Sequence, residues 1–513
     1  MRSTSPTGSR MAGIAAGVAT GALFLLLLAL MLSMGLRRGV NHDESQHLAA
    51  GAVLAHSFLL PYRDFPYFHM PYLVFMYGAL FSVSRSLLLA ARILNVAAGW
   101  LTLLLLWQLV RRQCEGAARW LLPAGAALLL FSNPIFREAF WRTWNHATST
   151  LFCLAAISFA MARGREWRWF FSGIFIGLAT GTRLTFAPLV APLALAAMFE
   201  PGSSAIADRV KKLVIYCGGV GVALFPALNL GALAPAQFIF GNFTFNSHAN
   251  VLFRQSYHDS HSTLHAKLLY PFTTLMRDRS NLALAVLFAL LVAAALVRFA
   301  RLAPEKRYRL LLALGLIPFA LIGAVAASPS QQEYYYALMP ILILALSIAA
   351  TAPGFARWAC LLVAAVAAFT TARSWHEYQR LAILKKPSAW PPVQFHEAGL
   401  EMRQWVSKGR VLTLEPLYPL EGGLEIYPQL VTGGIIWRTE PFIPAADRDR
   451  FAILGPDNFA AALQHSPPAA VLTTPSSELE PPIIAWARAH GYAPHLLENR
   501  GKLVDQATVW TRP

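Results

Sequence analysis

The chain has 513 residues, 56% of them hydrophobic and 13% charged, with a mean hydropathy of +0.46. So apolar a composition excludes an ordinary soluble domain and a disordered chain, and it points to a polytopic membrane protein. The excess of 43 basic over 26 acidic residues, +17 in all, would suit a nucleic-acid binder, but basic cytoplasmic loops account for it in a membrane chain and no nucleic-acid partner is expected. Four cysteines (Cys114, Cys153, Cys217, Cys360) sit within or beside apolar segments, with neither CxxC nor metal-ligand spacing. They read as packing residues rather than a disulfide framework or zinc site.

The first apolar run, Ile14 to Leu36, carries no charge, is too long for a typical signal-peptide core and lacks a clear small-residue cleavage site. It reads as a retained transmembrane helix. Further spans are expected near 88–110, 117–133, 147–162, 169–182, 184–199, 212–234, 281–299, 309–327, 335–351 and 356–372, about eleven in total. The stretch PYLVFMYGALFSVS, Pro71 to Ser84, is apolar but short, and counting it as a span would invert everything downstream. Loop charge decides. If it does not cross, the N-terminus (Arg2, Arg10), RRQCEGAAR, ARGREWR, DRVKK and RFARLAPEKRYR share one side, a strong positive-inside pattern. Only Arg37-Arg38 counts against that arrangement. The N-terminus is therefore expected in the cytoplasm and the C-terminus outside.

Residues 37–87, 235–280 and everything after about 373 then share the outer face. The tail is Pro-rich and polar, with strand-like runs at 411–414 and 470–473 and a helix-like stretch at 397–406. It reads as a small external α/β domain, 373–513, after a transmembrane domain, 1–372.

Just past the first span stands NHDESQH, with adjacent carboxylates Asp43 and Glu44. Asp43-x-x-Gln46 has capping-box spacing, so Asp43 is expected to cap a helix over Glu44–Leu59, a role compatible with chemistry. The same loop continues PYRDFPYFHMPY, supplying Arg63, Asp64 and His69 among rings that suit an interfacial anchor. Asp64 is a carboxylate near the lipid boundary, where such groups tend to be paired or functional. Arg183 lies in a tight turn between apolar helices, Asn145 and His146 follow another outer turn, and Glu333 and Tyr335 precede a late span. Glu138 and Arg142 have the spacing of a helical ion pair.

Carboxylates beside arginines at an outer leaflet suit attack by an acceptor hydroxyl on a sugar carried by a lipid phosphate. A base removes the acceptor proton and arginines receive the departing phosphate. A cation-binding or transport site would use similar parts.

The ordered features sharpen this reading: Asp43-Glu44 after the first span, PYRDF through Pro71, Arg92 near the start of a span that ends in RRQCEG, the turn after SNP, Arg183 after Gly-Thr, and YYALMP from Tyr335. In that order they resemble the GT-C membrane glycosyltransferases, especially glycosyltransferase family 39 and relatives such as protein O-mannosyltransferases and lipid A aminoarabinose transferases. The resemblance implies an inverting transfer from a polyprenyl-phosphate sugar to an envelope acceptor (glycolipid, polysaccharide or protein) at the outer face of a bacterial inner membrane. By it Asp43 matches the general base, Glu44 supports it, and Arg183 lies near the lipid phosphate. Arg63, Asp64, His69, Asn145, His146, Glu333 and Tyr335 are the remaining candidates for binding substrate. The chain departs from its relatives in carrying Asn145-His146 where they often have Asp, and Glu333 where they often have a base. Some relatives bind a divalent metal, yet no compact ligand set stands out and the sequence requires no cofactor. The alternative is a transporter or flippase of a lipid-linked substrate. That would bury charges at mid-bilayer, whereas here they gather at the outer ends of spans.

Overall fold

The computed structural model describes residues 6–116, 118–202, 205–258, 262–378, 380–475, 478–498 and 506–512. Arg2, one of the first basic flank, lies outside them. Helix α1 (Pro6–Arg37) is the first apolar run, and α2 (His42–Ser57) follows it closely. Helix α3 (Tyr72–Phe81) is the ambiguous segment. Its 10 residues rise roughly 15 Å, about half a bilayer core, so it packs without crossing.

The bundle continues with α4 (Leu87–Arg111), α5 (Ala118–Ser132), α6 (Pro134–Trp141), α7 (His146–Ala160) and α8 (Trp167–Thr182). A 3-10 segment, Leu184–Leu189, leads into α9 (Val190–Met198), and α10 (Ile206–Leu233) follows. Then come α11 (Pro235–Ile239), a π-helical stretch (Phe240–Ala249), α12 (Asn250–Ser256) and α13 (Leu264–Thr273). Helices α14 (Arg279–Val297) and α15 (Pro304–Ala326), a 3-10 turn (Gln332–Tyr335), α16 (Leu338–Ala349) and α17 (Ala356–Tyr378) complete it.

All the expected spans are helical. Among the described residues 7 helices are long and apolar enough to cross a membrane: those beginning in α1, α4, α10, α14, α15, at Gln332 and in α17. The others, α5, α7, α8 and 184–198, are shorter because polar residues cut their ends. Asn133 stops α5 and caps α6 through bonds from the Ile135 and Phe136 amides (3.0 and 3.2 Å), Asn145 precedes α7, and Arg183 ends α8 in extended backbone.

Arg37 and Arg38, the pair that counted against the sidedness, meet Glu377 at the end of α17. Their charge is therefore partly balanced where α1 and α17 end side by side.

After α17 lie α18 (Pro391–Met402), β1 (Arg410–Leu412), α19 (Leu417–Glu421), β2 (Glu425–Ile426), α20 (Gly434–Thr439), β3 (Ala470–Thr473), β4 (Ala493–Leu496) and β5 (Thr508–Thr511). The sheet order is β2-β1-β3-β5-β4; β1 pairs parallel with β2 and β3, and β5 pairs antiparallel with β3 and β4. Helix α18 starts earlier than its periodicity suggested because Pro391-Pro392 suits a first helical turn, which needs no amide donor. This sheet region shares its core with α2, α3 and the segments beside them. Leu48, Tyr62 and Leu73 pack with Phe395, Val411 and Tyr418, and Phe68 and Phe245 pack with Leu412 and Trp437. The Glu421 carboxylate accepts the Leu87 and Leu88 amides (3.1 and 2.8 Å) and so caps the start of α4.

Helices α8 and α10 touch backbone to backbone through Gly173 and Gly219. A Cβ on Gly173 would strike the Tyr216 carbonyl, and one on Gly219 the Phe170 carbonyl. Small residues permit this approach where lipid supplies no hydrophobic drive between helices. Gly173→Ala is therefore expected to destabilise the protein by about 1–3 kcal/mol, the usual cost of overpacking. Thermal unfolding in detergent checks it, and an unchanged midpoint would show that the two helices can separate freely.

Candidate active site

The site is built on the first turn of α2. Asn41, in extended backbone (φ −104, ψ 138), is the N-cap: its side chain accepts the Asp43 amide at 3.0 Å, and Glu44 Oε2 accepts the Asn41 amide at 2.9 Å. The capping box is thus Asn41–Glu44, and the expected cap at Asp43 is corrected by two residues. The Asp43 carboxylate projects from the first turn into a cavity instead of closing the helix.

Glu44 points the other way and is fully buried. Its carboxylate accepts Arg92 Nε and Nη2 (3.2 and 2.7 Å), the Thr143 amide and hydroxyl (2.9 and 3.3 Å) and the Asn41 amide. Arg92, also fully buried, directs its other donors to the carbonyls of Gly35, Arg38 and Gly39 (2.9, 2.5 and 2.8 Å). One ion pair therefore ties the end of α1, the start of α2, α4 and the 142–146 turn. Glu44 has its acceptors taken and does not line the cavity, so its place is that of a positioning residue.

The cavity beside Asp43, about 110 Å³, draws Gln46 and His47 from α2, His69 from the loop before α3, and Asn145 and His146 from the start of α7. Arg183, Arg254, Glu333, Tyr334 and Arg438 complete its polar wall. Arg183 is held in place: Nη1 donates to Asn145 Oδ1 (2.6 Å), Nε donates to Thr185 Oγ1 (3.1 Å), and its guanidinium lies 4.9 Å from the Tyr334 ring centre. A second cavity of about 590 Å³ adjoins it, sharing His69, Asn145, Arg183, Asn246 and Tyr334. Its far wall is largely apolar (Met70, Leu184, Pro188, Phe243, Val251, Ala326), with Lys267 at its edge. The π-helical stretch 240–249 supplies wall to both, in keeping with the tendency of π-helical turns to occur at functional sites.

Charge in the polar chamber is nearly balanced, with Arg183, Arg254 and Arg438 against Asp43 and Glu333. Burial first, and then Arg254, push the Arg438 pKa down, while Asp43 pulls it back up. Burial first, then His69 and Arg183, hold His47 well below the usual imidazole range; burial and then Arg183 bring His69 down to about 3. Both rings resist taking up a proton, and the carboxylates facing the chamber are Asp43 and Glu333. His47 is fixed by its Nδ1 at 2.9 Å from the Tyr67 hydroxyl.

Of the candidates, Asp43, His69, Asn145, His146, Arg183 and Glu333 converge on the chamber. Arg63 and Asp64 stand apart from it. They bond each other (2.9 and 2.7 Å), Asp64 also accepts the Leu60 amide, and neither lines either cavity. Arg63, the first cause, holds the Asp64 pKa below the ordinary carboxylate value. Tyr335 does not reach the chamber either: consecutive residues of a 3-10 turn diverge by roughly a third of a turn. Tyr335 therefore stacks on Tyr270 in the core (5.9 Å) and Tyr334 faces the chamber. Glu138 and Arg142 pair at 3.0 Å as their spacing suggests. Sequence reasoning missed His47, whose i,i+4 spacing from Asp43 on one helix was a usable signal. Arg254, Lys267 and Arg438 carried none. Among the described residues no three His, Cys, Asp or Glu side chains are placed to hold a metal ion.

The helical bundle, the polar chamber and the small sheet have the architecture of the GT-C fold of membrane proteins. The fold is that of ArnT from Cupriavidus metallidurans. The structure of that protein bound to undecaprenyl phosphate matches with a TM-score of 0.63 at 14% identity, covering 96% of this chain and 98% of that one. Its apo structure matches with a TM-score of 0.60, also at 14% identity and with the same coverage. No curated protein sequence matches the chain. The chain belongs to glycosyltransferase family 87, whose model matches residues 65–329, just over half its length. The resemblance to GT-C glycosyltransferases is borne out, and Asp43 and Glu44 lie ahead of the matched stretch.

Removing Glu44 would strand Arg92 as an uncompensated buried charge. Glu44→Ala is expected to cost about 3–5 kcal/mol of stability, whereas Asp43→Asn should leave the unfolding midpoint near that of the wild type. Comparing the two midpoints in detergent checks this. Equal midpoints would remove the ion pair from its structural role.

Proposed function

We propose that the chain is an inverting transferase that takes a sugar from a polyprenyl-phosphate donor and passes it to a hydroxyl of an envelope acceptor. The observation that carries this reading is the pair of joined cavities: a polar chamber holding Asp43, an apolar-walled one suited to a lipid tail, and Arg183 facing both. The ArnT structure of the same fold, bound to undecaprenyl phosphate, supports it.

In this reading the donor's prenyl chain lies along Leu184, Pro188 and Phe243, with its phosphate at Arg183. Asp43 takes the proton of the acceptor hydroxyl as its oxygen bonds to the anomeric carbon. The bond from that carbon to the phosphate oxygen breaks, and the electron pair leaves with the phosphate. Departure turns a singly charged phosphodiester into a monoester carrying close to two charges. Arg183, already oriented by Asn145 and Thr185, stabilises that gain with little reorganisation. Lys267 is the next cation along the path. Glu44 and Arg92 act only by holding the α2 turn.

The protein is multi-pass. We place it in a bacterial inner membrane with the N-terminus in the cytoplasm and the C-terminus in the periplasm, on the strength of the basic flanks gathered on one side. Residues 1–372 form the transferase domain and 373–513 a periplasmic domain, which lends Arg438 to the chamber.

Asp43→Asn is expected to lower kcat by about 10²–10⁴-fold, the usual range for a general base, with donor binding kept. Arg183→Ala is expected to lower kcat/KM for the donor about tenfold or more, since hydrogen bonds to charged groups contribute about 1.5–3 kcal/mol. Transfer from labelled polyprenyl-phosphate sugars to envelope material measures both. Substantial turnover by Asp43→Asn, with Glu333→Gln inactive, would move the base to Glu333.

A further inference from the structure

The catalytic chamber is not the only cavity among the described residues. A groove of about 960 Å³ lies between the far end of α2, the end of α3 and the sheet region, lined among others by His56, Val83, Arg85, His396, Arg403 and Arg410. Helix α2 has 16 residues, about 24 Å in length, with Asp43 in its first turn and His56 in its last. The groove is thus a separate place from the Asp43 chamber, and the two share no lining residue.

Two independent features converge there. The first is charge. Arg85, Arg403 and Arg410 are exposed, come from three different segments, and have no ion-pair partner among the described residues. Of the two carboxylates in the wall, Glu421 is fully buried, with its oxygens taken by the Leu87 and Leu88 amides and by His396 Nδ1 at 2.7 Å, so two carboxylates stand against three arginines. Glu425 sits beside Arg410 across the β1–β2 pairing and offsets one arginine. A net cationic groove remains. The second feature is its rim. Val83 and Leu400, both in its wall, are 84% and 45% exposed, Phe58 between the wall residues Ser57 and Leu59 is 81% exposed, and α4, long and apolar enough to span a membrane, begins at Leu87, four residues after Val83. Large bare apolar side chains next to unpaired arginines at a bilayer boundary match an amphiphile, with apolar chain on the rim and anionic head in the groove.

We propose that this groove binds the phosphate-bearing headgroup of an anionic lipid of the outer leaflet, as a second lipid site distinct from the donor cavity. Phosphate is the favoured anion because guanidinium forks from different segments can engage its several oxygens at once. Helix α4 connects the groove to the chamber: Glu421 caps its first turn at the groove wall, and Arg92, further along the same helix, holds Glu44.

The test uses the purified full chain in detergent, with binding of a short-chain phosphatidylglycerol measured against phosphatidylcholine of the same chain length and against inorganic phosphate. The wild type is expected to bind phosphatidylglycerol at least tenfold more tightly than phosphatidylcholine. Arg403→Ala/Arg410→Ala, two exposed positions whose loss leaves the fold intact, should lower phosphatidylglycerol binding at least tenfold while polyprenyl phosphate binding stays unchanged. Equal binding of the two phospholipids, or an unaffected double variant, would overturn the proposal. Displacement by inorganic phosphate at the lipid's own concentration would assign the groove to a soluble anion and overturn it too. Arg85→Glu gives an independent reading, with the same loss expected and no loss counting against the site.

Discussion

The helix turn that presents Asp43 depends on one buried ion pair, Glu44 with Arg92. A charged pair with no exposure is costly to desolvate, and such pairs seldom add stability relative to apolar replacements. What this one supplies is position. Its spare donors and acceptors are taken up by the last residues of α1, the N-cap of α2 and the turn before α7. Three stretches of chain distant in sequence, 35–44, Arg92 and Thr143, are thereby fixed around the helix turn that presents Asp43. The adjacent carboxylates have divided the work: one is locked into the scaffold, and its neighbour is left facing the chamber.

The chamber exists because several helices stop short of their neighbours. Where α5, α7 and α8 break, Asn133, Asn145 and Arg183 take over: Asn133 caps α6 and bonds Asn281, and Arg183 donates to Asn145. Irregular backbone at such depth is tolerated only where it is buried in protein or lines a polar cavity. Short helices and site are thus one feature. The apolar cavity next to the chamber follows from the same geometry, since the 3-10 segment after Arg183 and the π-helical stretch at 240–249 form its walls.

The helical architecture was legible because span length and loop charge are properties of contiguous sequence. The 71–84 stretch, which loop charge argued against as a span, holds a helix of only 10 residues. Asp43, Arg183, Asn145 and His146 were legible because ionisable or polar residues interrupting apolar runs are conspicuous. The remainder depended on geometry that sequence does not carry. Asn41 rather than Asp43 takes the cap, a shift of two residues that decides which carboxylate is available. Tyr334 rather than Tyr335 faces the chamber because the turn there is 3-10. Arg63 and Asp64 looked like site residues and instead satisfy each other. Arg254 and Arg438 reach the chamber only through tertiary packing, the latter from a helix far along the chain.

The proposed chemistry is a single displacement in which Asp43 activates the acceptor while the phosphate leaves toward Arg183. The most direct measurement is the anomeric configuration of the transferred sugar, read by NMR on product made from a donor of known configuration. One displacement predicts inversion. Retention would require two displacements through a glycosyl intermediate, and would contradict the role of Asp43 as a general base toward the acceptor.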